Sequence, residues 1–335
     1  SLWRLLAEVG DYAAADSVLS VALATERRRE PGGIREANVL NELGLSQYES
    51  GDYAGAARSW RASLAYDERT KPPGDIDLNI GRTNLSNALA DLGEIDEAAV
   101  LMETAADELR RYHPGDLTLY NTLGNLAALR NDQGRPADAA ALLRESLDGT
   151  RVLHGDLHPK VAFRLGSLGS ALGMLRRDRE AEPLLRESVA IYDSLFEAGH
   201  PNQSYALRAL AGTLLRLGQL TEAEEVGRRA VTISADGFGD DNVKTAQARL
   251  VLAEVVLASG RAAEAERLLR QIRPVLDESL PDRHWDRAFA ASYLGDALRR
   301  QGRRADAEPL LRAGLTTLRR TLGDDDPRTR DAAAR

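Results

Sequence analysis

One pattern of about 42 residues repeats along this chain, and it constrains the fold more than any other feature. Each unit reads as two amphipathic helices joined by a tight turn, as in HPKVAFRLGSLGSALGMLRRDREAEPLLRESVAIYDSLFEAG from His158 to Gly199. The residue that ends the first helix, here called the turn residue, recurs every 41 or 42 positions. The turn residues are Gly10, Gly51, Gly93, Gly134, Arg176, Gly218, Gly260 and Gly302. Repetition of a helical unit at a fixed period predicts an all-α solenoid, in which each repeat packs on its neighbours.

Two columns of identical residues support this prediction. A leucine lies eight residues before every turn residue: Leu2, Leu43, Leu85, Leu126, Leu168, Leu210, Leu252 and Leu294. An alanine lies five residues after it: Ala15, Ala56, Ala98, Ala139, Ala181, Ala223, Ala265 and Ala307. We expect the leucine to fill the space between the paired helices and the small alanine to let the two backbones approach closely.

At these residues the chain resembles the tetratricopeptide repeat family, whose usual period is about 34 residues. A unit of 42 residues with His-Pro opening helix A and Glu-Ala-Glu-Pro-Leu-Leu-Arg in helix B resembles the kinesin light chain subtype. The resemblance covers nearly all 335 residues. It implies a right-handed superhelical solenoid of about eight antiparallel helix pairs, with helix A of each pair lining a concave groove.

The sequence predicts a single array over residues 1–335, because no low-complexity linker interrupts the repeats. Both ends fall inside a repeat, so we expect the chain to be a fragment of a longer protein. Arg176 is expected to give a turn of different shape, because a left-handed conformation costs a residue other than glycine roughly 1–2 kcal/mol.

Polar residues at the helix ends and on helix B indicate structural roles. The position eighteen residues before each later turn residue is expected to cap helix A; it is Gly33, Asp75, Asp116, His158, His200, Asn242 or His284, and Asp326 continues the series. Helix B carries Glu→Arg pairs four residues apart, the favourable orientation on a helix. These pairs are Glu182–Arg186, Glu224–Arg228, Glu266–Arg270 and Glu308–Arg312.

Composition excludes several classes of protein. Cysteine is absent, which rules out disulfides, a thiolate nucleophile and cysteine-ligated zinc. The net charge of −8 disfavours nucleic-acid binding. The sequence shows neither a run of about 18 apolar residues nor a signal peptide. We therefore expect a cytoplasmic protein with no membrane partner and no nucleic-acid partner.

No catalytic constellation emerges from the sequence. The phosphate-binding, dinucleotide-binding, zinc-protease and serine-hydrolase motifs are all missing. His154 and His158 flank Asp156 in an inter-repeat loop, but the set lacks a third well-placed ligand, and a capping or turn role explains it better. The sequence thus predicts no enzymatic activity, no cofactor and no metal site in these residues.

What remains is the surface of helix A. Placing the outward positions by the family resemblance gives an amide-rich end and a basic, aromatic end. The predicted partner-binding residues are Asn38, Asn41, Asn84, Asn87, Asn121, Asn125, Arg208, Arg216, Tyr293, Arg299 and Arg300. An amide both donates to and accepts from a peptide backbone, so such a ladder suits an extended chain lying in the groove. The competing interpretation is that the asparagines bond across adjacent A helices.

Two functions of different classes follow. The first is a non-catalytic scaffold that holds a protein or peptide segment in the concave groove, with another domain of the same protein as one candidate partner. The second is a regulatory or sensory C-terminal tail of a larger enzyme, because the array resembles the repeat regions of bacterial serine/threonine protein kinases and of NTPase-type signalling proteins. The residues specify neither the partner nor the oligomeric state.

Overall fold

The computed structural model describes residues 2–197 and 199–335, and within these ranges it contains 17 α-helices and no strand. The all-α prediction is confirmed. The first helices of the repeats (the A helices) are α1 (Leu2–Glu8), α3 (Ile34–Glu49), α5 (Ile76–Asp91), α7 (Leu117–Asp132), α9 (Pro159–Met174), α11 (Gln203–Arg216), α13 (Val243–Ala258), α15 (Trp285–Arg300) and α17 (Pro327–Ala333). The second helices (the B helices) are α2 (Tyr12–Arg29), α4 (Tyr53–Thr70), α6 (Ile95–Tyr112), α8 (Pro136–His154), α10 (Asp178–Leu195), α12 (Leu220–Phe238), α14 (Ala262–Ser279) and α16 (Arg304–Leu322).

The chain divides into two compact units, residues 1–153 and 154–335. In each unit a helix packs on the helix that follows it, as α3 does on α4 and α9 on α10. Adjacent A helices also touch, as α5 and α7 do in the first unit and α11 and α13 in the second. A single array through all 335 residues stays a prediction.

The leucine and alanine columns form the core of the repeats. Every alanine of the column is at most 1% exposed, and seven of the eight leucines are at most 7% exposed. The exception is Leu2, which is 60% exposed. Its helix α1 has only seven residues, of which Trp3 alone is buried. The predicted packing role is therefore confirmed everywhere except at Leu2.

The turns between paired helices share one backbone conformation. The seven turn glycines have φ between 71° and 86°, and Arg176 has φ of 58°. Around Arg176 the backbone hydrogen bonds are also those of the other turns: Arg176 N donates to Gly173 O at 3.1 Å and Arg177 N to Leu172 O at 3.0 Å. The expected difference in shape at Arg176 is therefore wrong. The closing hydrogen bonds impose the left-handed conformation on arginine as they do on glycine.

A second small-residue column, twelve positions after the turn residue, fastens helix B to helix A of the same repeat. Where it is serine, the buried hydroxyl donates to a carbonyl of the paired helix. These bonds are Ser63 Oγ to Ala37 O (2.9 Å), Ser146 Oγ to Tyr120 O (2.6 Å) and Ser188 Oγ to Ala162 O (2.6 Å). Each of these carbonyl oxygens lies within helix A and accepts the serine hydroxyl in addition to its helical N–H donor. The buried hydroxyl therefore has a hydrogen-bond partner.

The expected caps and ion pairs are present. Side chains of Asp75, Asp116, His158, Asn242, His284 and Asp326 accept a backbone N–H at the start of their helices. His200 Nδ1 accepts from Asn202 N at 3.1 Å, whereas Gly33 has no side chain to cap with. All four Glu→Arg pairs on helix B form, with N–O distances of 2.7–3.0 Å.

The B helices are also tied to one another by ion pairs between consecutive repeats. These pairs are Arg61–Glu97, Arg110–Glu145, Arg186–Glu222 and Arg228–Glu264, at 2.5–3.0 Å. Their members lie 35 or 36 residues apart, slightly less than one repeat. In the described ranges, no helix combines the length and apolarity needed to cross a membrane.

Candidate functional site

The six predicted asparagines lie on three successive A helices of the first unit. Asn38 and Asn41 on α3 are exposed, and the other four are half-buried: Asn84 and Asn87 on α5, Asn121 and Asn125 on α7. Asn121 has an intramolecular partner. The remaining five side-chain amides make no hydrogen bond to any described residue. Cross-helix bonding therefore does not account for these five.

Asn38 and Asn41 line a cavity of about 270 Å³ between α3, α4 and α5, here called the α3–α5 cavity. Trp60 closes its inner side and is 3% exposed. At its edge Lys71 Nζ lies 3.5 Å from Asp67 Oδ1 and 3.6 Å from Asp77 Oδ2. The cavity thus combines two unpaired amides with carboxylates and one ammonium group.

An ionic cluster around the buried Arg82 side chain connects α5 to neighbouring parts of the first unit. Arg82 is 9% exposed, and its Nη1 lies 2.9 Å from Glu108 Oε2 and 3.0 Å from Asn79 Oδ1. The same Glu108 oxygen accepts the N–H of Gly74 at 2.9 Å. Burial alone would raise the pKa of Glu108, but the Gly74 N–H and the Arg82 guanidinium outweigh it, so this pKa lies below its ordinary value. The cluster therefore joins α5, α6 and the loop before α5.

The predicted arginines of the second unit are engaged within the chain. Arg208 donates to Gln247 Oε1 at 2.5 Å, and its guanidinium lies 5.4 Å from the centre of the Tyr205 ring. Arg216 pairs with Asp178 at 2.7 Å. These two side chains can meet a partner only by exchanging internal contacts.

Arg299 and Arg300 share one carboxylate. Both pair with Asp296, at 2.5 and 2.9 Å, and Asp296 is only 2% exposed. Tyr293 is 7% exposed, and the Arg335 guanidinium lies 4.1 Å from its ring centre. The structure therefore does not present the Tyr293 ring to a partner, because the end of the chain covers it.

The sequence reasoning missed Trp60 and Lys71, which complete the α3–α5 cavity. Lys71 is one of three lysines in the chain and precedes Asp75 and Asp77, a signal that could have marked the ion cluster. It also missed Arg335, whose position over Tyr293 depends on the fold of the last helix.

The three repeated histidines have structural roles. Nδ1 of His158, His200 and His284 accepts a backbone N–H two residues further on, at 3.1–3.2 Å. The rings of His154 and His158 stack at 4.2 Å. Among the described residues, no group of three or more His, Asp or Glu side chains could hold a metal ion. The interpretation of the loop histidines as capping residues is confirmed.

Three family models match the chain, and each describes the tetratricopeptide repeat. They match residues 118–194, 179–236 and 202–278, residues 290–328, and residues 80–104. Together these segments cover more than half of the chain. No curated protein matches the sequence.

Solved structures show the same fold at low identity. BtubC (BKLC) from P. vanneervenii is 20% identical, with a TM-score of 0.57 over 67% of this chain and 91% of that one. The apo quorum sensor NprR from B. thuringiensis is 12% identical, with a TM-score of 0.69 over 95% of this chain and 85% of that one. A Rap protein complexed with competence and sporulation factor is 15% identical, with a TM-score of 0.53 over 93% and 97%.

The family matches and these helical-repeat neighbours agree with the architecture built from the leucine, alanine and turn columns. The predicted resemblance is confirmed. This chain belongs to the tetratricopeptide repeat family.

Proposed function

We propose that this protein is a non-catalytic interaction scaffold, and that its first unit holds an extended peptide segment through asparagines of α3, α5 and α7. The observation that carries the proposal is a set of five side-chain amides, on three successive A helices, that make no hydrogen bond to a described residue. An amide both donates and accepts, as a peptide backbone does. A segment lying across these helices would meet amides in each of three successive repeats.

The energetics favour this surface because binding to these five asparagines breaks no hydrogen bond between their side-chain amides and a described residue. Each new hydrogen bond contributes about 0.5–1.5 kcal/mol net. Apolar contact is available on the same helices, since Leu45 and Ile80 are 38% and 40% exposed. Several such contacts together would give binding of moderate strength, with the apolar side chains supplying the rest.

A fold-level argument points the same way. One structural neighbour is a Rap protein in complex with competence and sporulation factor. That protein shares the helical-repeat architecture, which supports a role in binding a protein or peptide here without identifying the ligand. The partner would be a separate protein or another domain of the same one.

The test is a binding measurement with matched variants. Peptides selected from a random display library on the wild-type protein would be titrated against Asn84→Ala/Asn87→Ala/Asn125→Ala. The control is Asn202→Ala/Gln271→Ala/Thr316→Ala, which removes three exposed polar side chains from the second unit. Loss of three hydrogen bonds should weaken binding by about 10-fold or more in the first variant, with the control unchanged.

Equal affinity for all three proteins, at unchanged helical circular dichroism, would move the binding site away from the asparagines. The alternative function, a regulatory tail of a serine/threonine kinase or NTPase-type signalling protein, stays a prediction. Reading the coding sequence upstream of Ser1 for a glycine-rich loop and an HRD segment tests it.

A further inference from the structure

One ion pair joins distant repeats of the second unit. Arg176, in the turn after α9, pairs with Asp331 on α17, 155 residues further along the chain. Helices α10 to α16 lie between them, each packed on the next. The row of helices in this unit must therefore curve back until its first turn meets its last A helix.

Arg176 is itself an exception. Among the described residues it alone has a positive φ without being glycine, and the other seven turn residues are glycines. A left-handed conformation disfavours any side chain with a Cβ. Glycine would relieve this strain but would have nothing with which to reach Asp331. The one costly residue in the turn column is thus the one that makes the long-range contact.

Asp331 lies at the end of a column that runs along the A helices. Phe163, Tyr205, Gln247, Phe289 and Asp331 follow one another at steps of 42 residues. The first members of the column touch or share a partner: the rings of Phe163 and Tyr205 are 6.4 Å apart, and Arg208 contacts both Tyr205 and Gln247. The contact with Arg176 therefore lies on the face of the A helices.

The charged neighbours of the pair are occupied elsewhere. Arg177 pairs with Glu180 at 2.6 Å, and Asp178 pairs with Arg216. Arg335 lies over the Tyr293 ring. Each of these groups already has its own partner, and Arg176 and Asp331 pair with each other.

We propose that Arg176 and Asp331 form a latch that closes the A-helix face of residues 154–335. Both side chains are partly exposed, at 33% and 54%, so the pair is screened by salt and shifts the ratio of closed to open forms by about fivefold at most. A contact of this strength favours the closed form at rest and is easily broken, for example by salt. The inference concerns the second unit alone and does not depend on the peptide site proposed for the first.

The absence of cysteine makes the latch directly measurable. Cysteines introduced as Arg179→Cys and Ala334→Cys, both at exposed positions, would carry spin labels on either side of the contact. Pulsed electron paramagnetic resonance on the full chain at low salt should give a narrow, short distance distribution. Arg176→Gly and Asp331→Asn should each broaden it towards longer distances, and so should 1 M salt.

The matched control is Arg177→Ala, which removes the adjacent guanidinium but leaves the latch intact. The reversed pair Arg176→Asp/Asp331→Arg should restore the short distance. Arg176→Gly installs the residue found in the other seven turns, so folding is retained and circular dichroism checks it. Distributions for Arg176→Gly and Asp331→Asn that match the Arg177→Ala control would overturn the proposal.

Discussion

Replacement of Glu108 tests whether the buried cluster around Arg82 stabilises the first unit. Glu108→Ala removes the carboxylate that accepts from Arg82 Nη1 and Gly74 N, both at 2.9 Å. Arg82 is 9% exposed and would retain only its hydrogen bond to Asn79 and a weaker contact with the Glu68 carboxylate at 3.7 Å. Breaking a buried pair in this way costs roughly 3–5 kcal/mol. Because the Glu108 side chain is 21% exposed, we expect the lower end, about 3 kcal/mol.

The loss should be local and dependent on pH. Native-state hydrogen exchange should show Gly74 and the amides of α5 exchanging about 100-fold faster in Glu108→Ala, and urea denaturation followed by circular dichroism should show the loss of stability. The pKa of Glu108 is lower in the folded state than its unfolded value of about 4.5. Its contribution is therefore complete above that value and is lost as the pH falls through the folded pKa, so wild type and variant should converge in acid.

Glu145→Ala is the matched control, because Glu145 and its partner Arg110 are both 41% exposed. An exposed pair contributes at most about 1 kcal/mol. If Glu108→Ala destabilised the protein no more than Glu145→Ala does, the buried cluster would not be the stabilising element that its geometry indicates.

Three further substitutions test the packing of the repeats. Leu168→Ala should cost about 2–5 kcal/mol and lower the thermal midpoint, and an unshifted melt would contradict the core role of a side chain 3% exposed. Ser188→Ala should lower the free energy of unfolding by about 1 kcal/mol, because it removes the buried hydrogen bond to Ala162 O. The control is Ser17→Ala at an exposed position, and an equal loss of stability there would contradict a stabilising role for the buried bond. Gly149→Ala should cost about 1–2 kcal/mol despite better helix propensity, because the new Cβ would lie 2.0 Å from the Tyr120 ring; greater stability would show that the ring can move.

Much of the fold could be predicted from the sequence, because the features that specify it recur at a fixed spacing. The leucine and alanine columns keep the same residue type in all eight repeats, and all of these positions except Leu2 prove to be in the core. The serine column escaped notice because only Ser63, Ser146 and Ser188 carry the hydroxyl, while other repeats have alanine, glycine or isoleucine at the position. Apart from Ile272, the residues of the column share small size, and the reason for this becomes visible only in the packed helix pairs.

The contacts of the candidate site residues could not be predicted from the sequence. Position within the repeat placed the asparagines on A helices. Only the coordinates show that Asn121 has a partner, whereas the side chains of Asn84 and Asn125 make no hydrogen bond to a described residue. The predicted arginines, in contrast, have partners within the chain, and the sequence alone could not show that they are paired. Arg208 reaches Gln247, 39 residues away, so its partner depends on how adjacent repeats stack.

The two units would therefore bind in physically different ways. Residues 1–153 hold 25 acidic and 16 basic residues, whereas residues 154–335 hold 27 and 28, which together give the net charge of −8. In the first unit five asparagine amides make no hydrogen bond to a described residue, and the unit carries a net negative charge. A ligand at the proposed site would therefore gain hydrogen bonds without breaking internal ones, and a basic ligand would associate faster at low salt. In the second unit Arg216, Arg299 and Arg300 already hold carboxylates, so a ligand must exchange ion pairs and gains only the difference between the old pair and the new. Binding to the first unit should then depend on amide geometry, and binding to the second on whether its internal ion pairs can open.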